Sequence, residues 1–247
     1  MEAASDCSTD DERPASPLGI SRMPTTSPFE TRTDEYDAWY DDHAGAYRAE
    51  RAALEVALPD RESIEQSRAV EVGVGTGRFA APLGVSIGVD PARNPLEYAR
   101  ERGVAPVRGV AEFLPIADES LDLVLFATTL CFVDDLEATL AECHRALRPG
   151  GTLVVGLLDR ASPLGQSYQE HKSETPFYAA ATFHSAEETV DALETAGFTV
   201  DGRWQTVFDD PAELEVGEPA AAANALEADV REGHGDGLFA VLRARTD

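Results

Sequence analysis

From residue 69 onward, short apolar runs alternate with amphipathic stretches. The apolar runs predict strands over 69–72, 85–89, 104–108, 121–126, 151–158, 198–207 and 237–245. Between them, helical periodicity predicts helices over 77–83, 95–102, 134–147 and 185–196. Such alternation is the mark of a doubly wound α/β protein. Ser185 followed by Glu188 reads as a capping box, and Gly197 closes that helix. "LRPGG" (147–151) reads as a helix stop and a tight turn. Ahead of the alternation, 36–58 looks helical, with Gly45 expected to divide it and Pro59 and Asp60 to end it. Residues 1–33 are rich in Ser, Thr, Pro and acid, without a hydrophobic period, and read as a disordered tail. One domain is then expected over 34–247. Two stretches break its rhythm. Residues 159–184 are too long for a plain connection and read as a lid or substrate-facing insert. Residues 209–236 are acidic and alanine-rich.

Charge narrows the partners. Forty-six acids face twenty bases, a net charge of −26, and Lys172 is the one lysine. The acids run along the whole chain. In molar salt the screening length falls to about 3 Å, which relieves such self-repulsion. The expectation is a chain that works in a high-salt cytoplasm. Binding to a phosphate backbone rests on Lys and Arg, so no nucleic-acid partner is expected. The longest apolar stretch, "LVLFATTLCFV" (123–133), is too short to span a membrane, and no membrane partner is expected. The start of the chain shows no basic-then-apolar leader, which again reads as cytoplasmic. Cys7, Cys131 and Cys143 have no metal or disulfide spacing and read as reduced thiols, the last two in or near the core.

The candidate chemistry begins at "AVEVGVGTGRFA" (69–80). Gly73, Gly75 and Gly77 follow a strand, where bare backbone can approach a ligand. A dinucleotide fingerprint needs its third glycine one place later, where Arg78 stands. Glu71, two residues before the first glycine, would repel a phosphate but can face a cationic group such as an α-amino group. Asp90 ends the second strand, where a carboxylate can accept bonds from both ribose hydroxyls. The stretch 109–125, a turn followed by a strand, offers backbone to an adenine edge, with Phe113 or Leu114 to pack on the ring. His43, His171 and His184 lie in segments expected near the cleft but show no triad or metal spacing. His144 reads as structural or exposed.

The residues E-V-G-V-G-T-G, then G-V-D, then A-E-F-L-P-x-x-D-E-S-L-D-L-V, then H-R-A-L-R-P-G-G-T-L together resemble the class I S-adenosylmethionine-dependent methyltransferases. The match is with the small-molecule-type group carrying DAExLPF-like and LRPGG signatures, and it covers roughly 36–200 and the last strand. The resemblance implies a Rossmann-like, seven-stranded, mostly parallel sheet with an antiparallel last strand and an N-terminal helical cap. It implies S-adenosylmethionine as cofactor. Glu71, Gly73, Gly75 and Gly77 would hold the methionine part, Asp90 the ribose, and Val110, Ala111 and Glu112 the adenine. Thr128 would line the methyl position. Val110 stands where many members carry an Asp that contacts the adenine amino group. Tyr36, Trp39 and Tyr40, in the cap, are substrate-pocket candidates or a helix face packed on the core. The implied reaction is methyl transfer, with a small molecule as the expected acceptor. A nicotinamide-dependent oxidoreductase and a non-catalytic binding module stand as alternatives.

Overall fold

The computed structural model describes residues 27–212, 214 and 229–247. Among them, eight strands form one sheet: β1 (Ala69–Val72), β2 (Ile87–Asp90), β3 (Ala105–Arg108), β4 (Leu121–Ala127), β5 (Leu147–Leu158), β6 (Phe198–Thr206), β7 (Arg231–Glu232) and β8 (Phe239–Thr246), in the order β3-β2-β1-β4-β5-β8-β6-β7. The ladders from β3 to β5 are parallel. The last strand, β8, runs antiparallel between β5 and β6. The eighth strand is the two-residue β7, which pairs with Trp204 and Gln205. It is charged, exposed and without alternation, so it falls inside the expected 209–236 interruption.

Strand alternation divides the core into two layers. Ala69, Leu123, Leu125, Val154 and Val241 face one side, against α3 (Ala44–Ala57) and α6 (Arg93–Glu101). Helices α1 (Ser27–Thr31) and α2 (Thr33–Asp42) precede α3, and α4 (Arg61–Gln66) and α5 (Ala80–Leu83) lie between α3 and α6. Val70, Val124, Phe126, Val155 and Leu242 face the other, against α7 (Leu136–Ala146) and α9 (Ala186–Thr195). The capping box on α9 forms as expected, Ser185 accepting from Glu188 N–H and Glu188 from Ser185 N–H. Cys143 is fully buried, Cys131 packs at the edge of the core, and Cys7 lies outside the described residues.

Several expected boundaries move. Residues 27–33, placed in the disordered tail, carry α1 and the start of α2; the rest of that tail lies outside the described residues. The predicted 77–83 helix shrinks to α5, because Gly77 is left-handed (φ 79°) and cannot start a helix. The cap helices part at His43, and Gly45 lies inside α3: a Cβ there would sit 2.1 Å from the Leu214 carbonyl oxygen. The LRPGG run does end α7, but it already belongs to β5. Within 159–184 the chain forms α8 (Pro163–His171), and Phe177 beyond it packs 5.4 Å from Phe29 and 5.6 Å from Tyr36.

The cap is pinned to the glycine turn by charge. Arg78 Nη2 donates to Asp37 at 2.7 Å, its Nη1 donates to Asp41 at 2.8 Å, and Arg102 reaches Asp37 at 2.7 Å. Arg102 also donates to the Thr76 carbonyl. Burial alone would raise the Asp37 pKa, yet the two guanidinium groups hold it down to about 2. Glu30 of α1 accepts the Arg93 and Asn94 N–H groups at the head of α6. The latch predicts that Arg78→Ala frees the cap before it unfolds the core. Hydrogen exchange over 33–42 should quicken about tenfold or more while β4 keeps its protection. A cap as protected as in the unsubstituted chain would contradict it.

Candidate active site

The sheet order changes direction between β1 and β4, and the crevice outside their carboxyl ends is where ligands bind in open α/β sheets. A cleft lies there whose empty space, counted with the open solvent at its mouth, is about 710 Å³. Its floor is Val72, Gly73 and Gly75, one wall is Asp90 to Ala92, another is Gly109 to Glu112, and Thr128, Thr129 and Phe132 close the far side. Phe29 and Tyr36 of the cap complete it.

The three glycines do different work. All have positive φ. A side chain on Gly73 would collide with Thr129 at 2.1 Å, and one on Gly77 would press on Ala99 of α6 at 3.1 Å. Only Gly75 leaves its missing side chain as open space, with Tyr36 Cε1 nearest at 3.6 Å. Asp90 is fixed by backbone: it accepts from Gly75 N–H at 2.9 Å and from Ala92 N–H at 2.8 Å. Burial nevertheless pushes its pKa up to about 6. Glu112 accepts from the Asp134 N–H at 2.8 Å, which ties the 110–113 turn to the start of α7. Thr128 holds an unusual positive φ of 54° at the cavity edge, a strained backbone of the kind that clusters at functional sites.

Of the expected site residues, Gly73, Gly75, Asp90, Val110, Ala111, Glu112, Thr128 and Tyr36 meet around this cavity. Four do not line it. Gly77 faces α6. Glu71 lies behind the turn, 1% exposed, with Oε2 lacking a hydrogen-bond partner among the described residues. Burial drives its pKa well up, the Ala80 N–H opposing and Asp90 adding to the rise. Tyr40 is buried, its hydroxyl 2.8 Å from that of Tyr36. Trp39 stacks on His43 at 4.4 Å. Phe113 is exposed and Leu114 is buried in the core, so neither borders the cavity. The histidines also stay outside it. His184 borders a small neighbouring recess with Thr128 and Cys131, burial lowering its pKa; His171 and His144 are exposed.

Sequence reasoning missed Phe29, Thr129 and Phe132 at the cavity, and the buried Glu50 on α3. Glu50 is 5% exposed on α3, and burial raises its pKa to about 8. It stands on the buried stripe Ala46–Glu50–Ala53–Leu54–Ala57, a small-residue pattern that could have marked it as inward. Tyr36 carries the link to the cavity, because the charges of Asp90, Glu71 and Glu50 all bear on its hydroxyl.

The geometry can now be set beside known proteins. Residues 70–155 match the family model described as a methyltransferase domain. A crystal structure from Thermotoga maritima, described as a SAM-dependent methyltransferase and possible histamine N-methyltransferase, is 42% identical with a TM-score of 0.81. The match covers 90% of this chain and all of that one. The chain belongs to the S-adenosylmethionine-dependent methyltransferases. An uncharacterized protein of Methanocaldococcus jannaschii is 34% identical over 216 residues, 87% of this chain and 97% of its own. The malonyl-[acyl-carrier protein] O-methyltransferase of Methylococcus capsulatus is 32% identical over 54% of this chain and 52% of its own. S-adenosylmethionine is therefore the cofactor of this methyltransferase, and the nicotinamide and binding-only alternatives fall. No helix among the described residues is long and apolar enough to cross a membrane.

The Glu50 proton gives the ligand-free methyltransferase a pH signature. Below about pH 4.5 both folded and unfolded chains hold it; above that, only the folded chain does, until pH passes about 8. Stability from this group is thus lost as pH rises through that window. Glu50→Gln should stabilise the methyltransferase more at pH 8 than at pH 5, by on the order of 2 kcal/mol. Urea unfolding at the two pH values measures this, and equal gains would contradict the burial.

Proposed function

We propose that the cavity holds S-adenosylmethionine on the residues named from sequence and that the methyl group passes to a small molecule admitted beneath the cap. The observation that carries the cofactor reading is the orphaned Glu71 oxygen behind the glycine turn, an acid inside the protein without a base. An α-ammonium group supplies what it lacks. Gly75 offers bare backbone beside it, and Asp90, already held by two amides, presents its remaining lone pairs to the ribose hydroxyls. The Val110–Glu112 turn takes the adenine edge, with backbone doing what an Asp side chain does elsewhere. Gly77 serves this site by letting the turn pack on α6. Thr128 marks the methyl end.

The bound cofactor supplies an electrophilic methyl, so these residues need only orient it and exclude water. Alignment to a near-attack distance of about 3–3.5 Å accounts for much of such an acceleration. Tyr36, Phe29 and Phe177 form the apolar contact between cap and insert, and 159–184 acts as the lid. A roof of this kind suits a small acceptor, and the net charge of −26 disfavours nucleic acid. The same charge favours a cytoplasm rich in salt.

Titration of S-adenosylhomocysteine into the protein in molar KCl tests the reading, with NADH as the control. The first should bind and the second should not. Asp90→Ala should weaken binding about tenfold to a hundredfold, the loss of one or two charge-assisted hydrogen bonds. Unchanged affinity in that variant would remove the ribose assignment.

A further inference from the structure

Glu50 is the buried acid that the cofactor reading leaves unused. It is 5% exposed, on the inward face of α3. Its charge bears on the hydroxyls of Tyr36, Tyr40, Tyr168 and Tyr178, which come from α2, α8 and the segment after it. No basic group among the described residues offsets it, and burial alone accounts for its raised pKa. Lys172 is committed elsewhere, its Nζ donating to the Ala181 carbonyl at 2.7 Å. Tyr36 is shared: it lines the cofactor cavity, and its hydroxyl meets that of Tyr40 at 2.8 Å. Tyr178 stacks at 6.1 Å on Phe132, which also lines the cavity. The carboxyl and its ring of tyrosines therefore adjoin the cofactor cavity, between cap and insert.

We propose that Glu50 and these four tyrosines form the acceptor subsite, and that the acceptor is a basic amine whose ammonium group meets the Glu50 carboxylate. The proposal rests on the methyltransferase site described above and names its substrate class. A buried acid whose charge is felt by four tyrosines and offset by no described base favours a cation once it is ionised, above about pH 8. It rejects an anionic acceptor by repulsion. Glu50 also has a place for the proton that an amine must lose before its nitrogen can attack. The proton leaves the ammonium nitrogen for a Glu50 carboxylate oxygen, the nitrogen regains its lone pair, and the carboxyl returns the proton to solvent after the product departs.

The test compares 2-phenylethylamine with 2-phenylethanol, two probes that differ in the terminal group. Each is titrated into the full chain saturated with S-adenosylhomocysteine, in molar KCl at pH 9, above the Glu50 pKa of about 8. The amine should bind at least tenfold more tightly than the alcohol, and Glu50→Gln should erase that preference while keeping its affinity for S-adenosylhomocysteine. An amine that binds no better than the alcohol overturns the proposal with the unsubstituted chain alone. So does a preference that survives in Glu50→Gln. Failure of S-adenosylhomocysteine to bind the unsubstituted chain would instead remove the underlying cofactor reading.

Discussion

Three carboxyl groups that no basic side chain among the described residues neutralises converge on Tyr36, and the arrangement of the site follows from them. Glu71, Asp90 and Glu50 come from a strand, a strand end and a helix, and all are at least nine-tenths buried. Desolvation makes such groups costly to charge, and their pKa values rise accordingly. A protein keeps them only where something else completes them. Asp90 is partly completed by backbone amides, Glu71 has one oxygen with no described partner, and on Glu50 burial alone acts. The gradient runs from a group pre-set for hydroxyls to groups suited to cations.

The fold makes that convergence affordable by spending its bases elsewhere. Arg78 and Arg102 neutralise Asp37 and Asp41 and tie the cap to the turn. Arg145 pairs with Glu142 and Asp118 and braces the loop that follows the Val110 turn. With the guanidinium groups committed to fixing loops, the inner acids stay unpaired. The charged latch outside and the orphaned acids inside are thus two parts of one distribution of charge.

Much of this was legible in the sequence, for physical reasons. Asp90 and Glu71 stand out because an apolar strand that ends in acid, or carries acid before a glycine turn, breaks a strong pattern. Gly75 was legible as bare backbone, whereas the role of Gly77 in packing on Ala99 depends on a helix far along the chain. Arg78 read only as a missing glycine; its partners lie about forty residues earlier, and no local pattern joins them. Glu50 was hidden because an acid among alanines and arginines on a helix reads as a solvated face, and only the small-residue stripe around it turns it inward. Of the aromatic cap residues, Tyr36 lines the cavity, Tyr40 meets its hydroxyl from behind, and Trp39 stacks on His43. β7 and α1 are too short and polar to leave a period.

The central claim is that the buried acid beside the glycine turn waits for the positive end of the cofactor. Calorimetric titration of S-adenosylhomocysteine at pH 7, repeated in buffers of different ionisation enthalpy, tests it most directly. Burial drives the Glu71 pKa up in the ligand-free protein, and an arriving ammonium group drives it back down. The observed enthalpy should therefore shift with the buffer in the sense of proton release. Binding with no buffer dependence, or with proton uptake, would contradict the account.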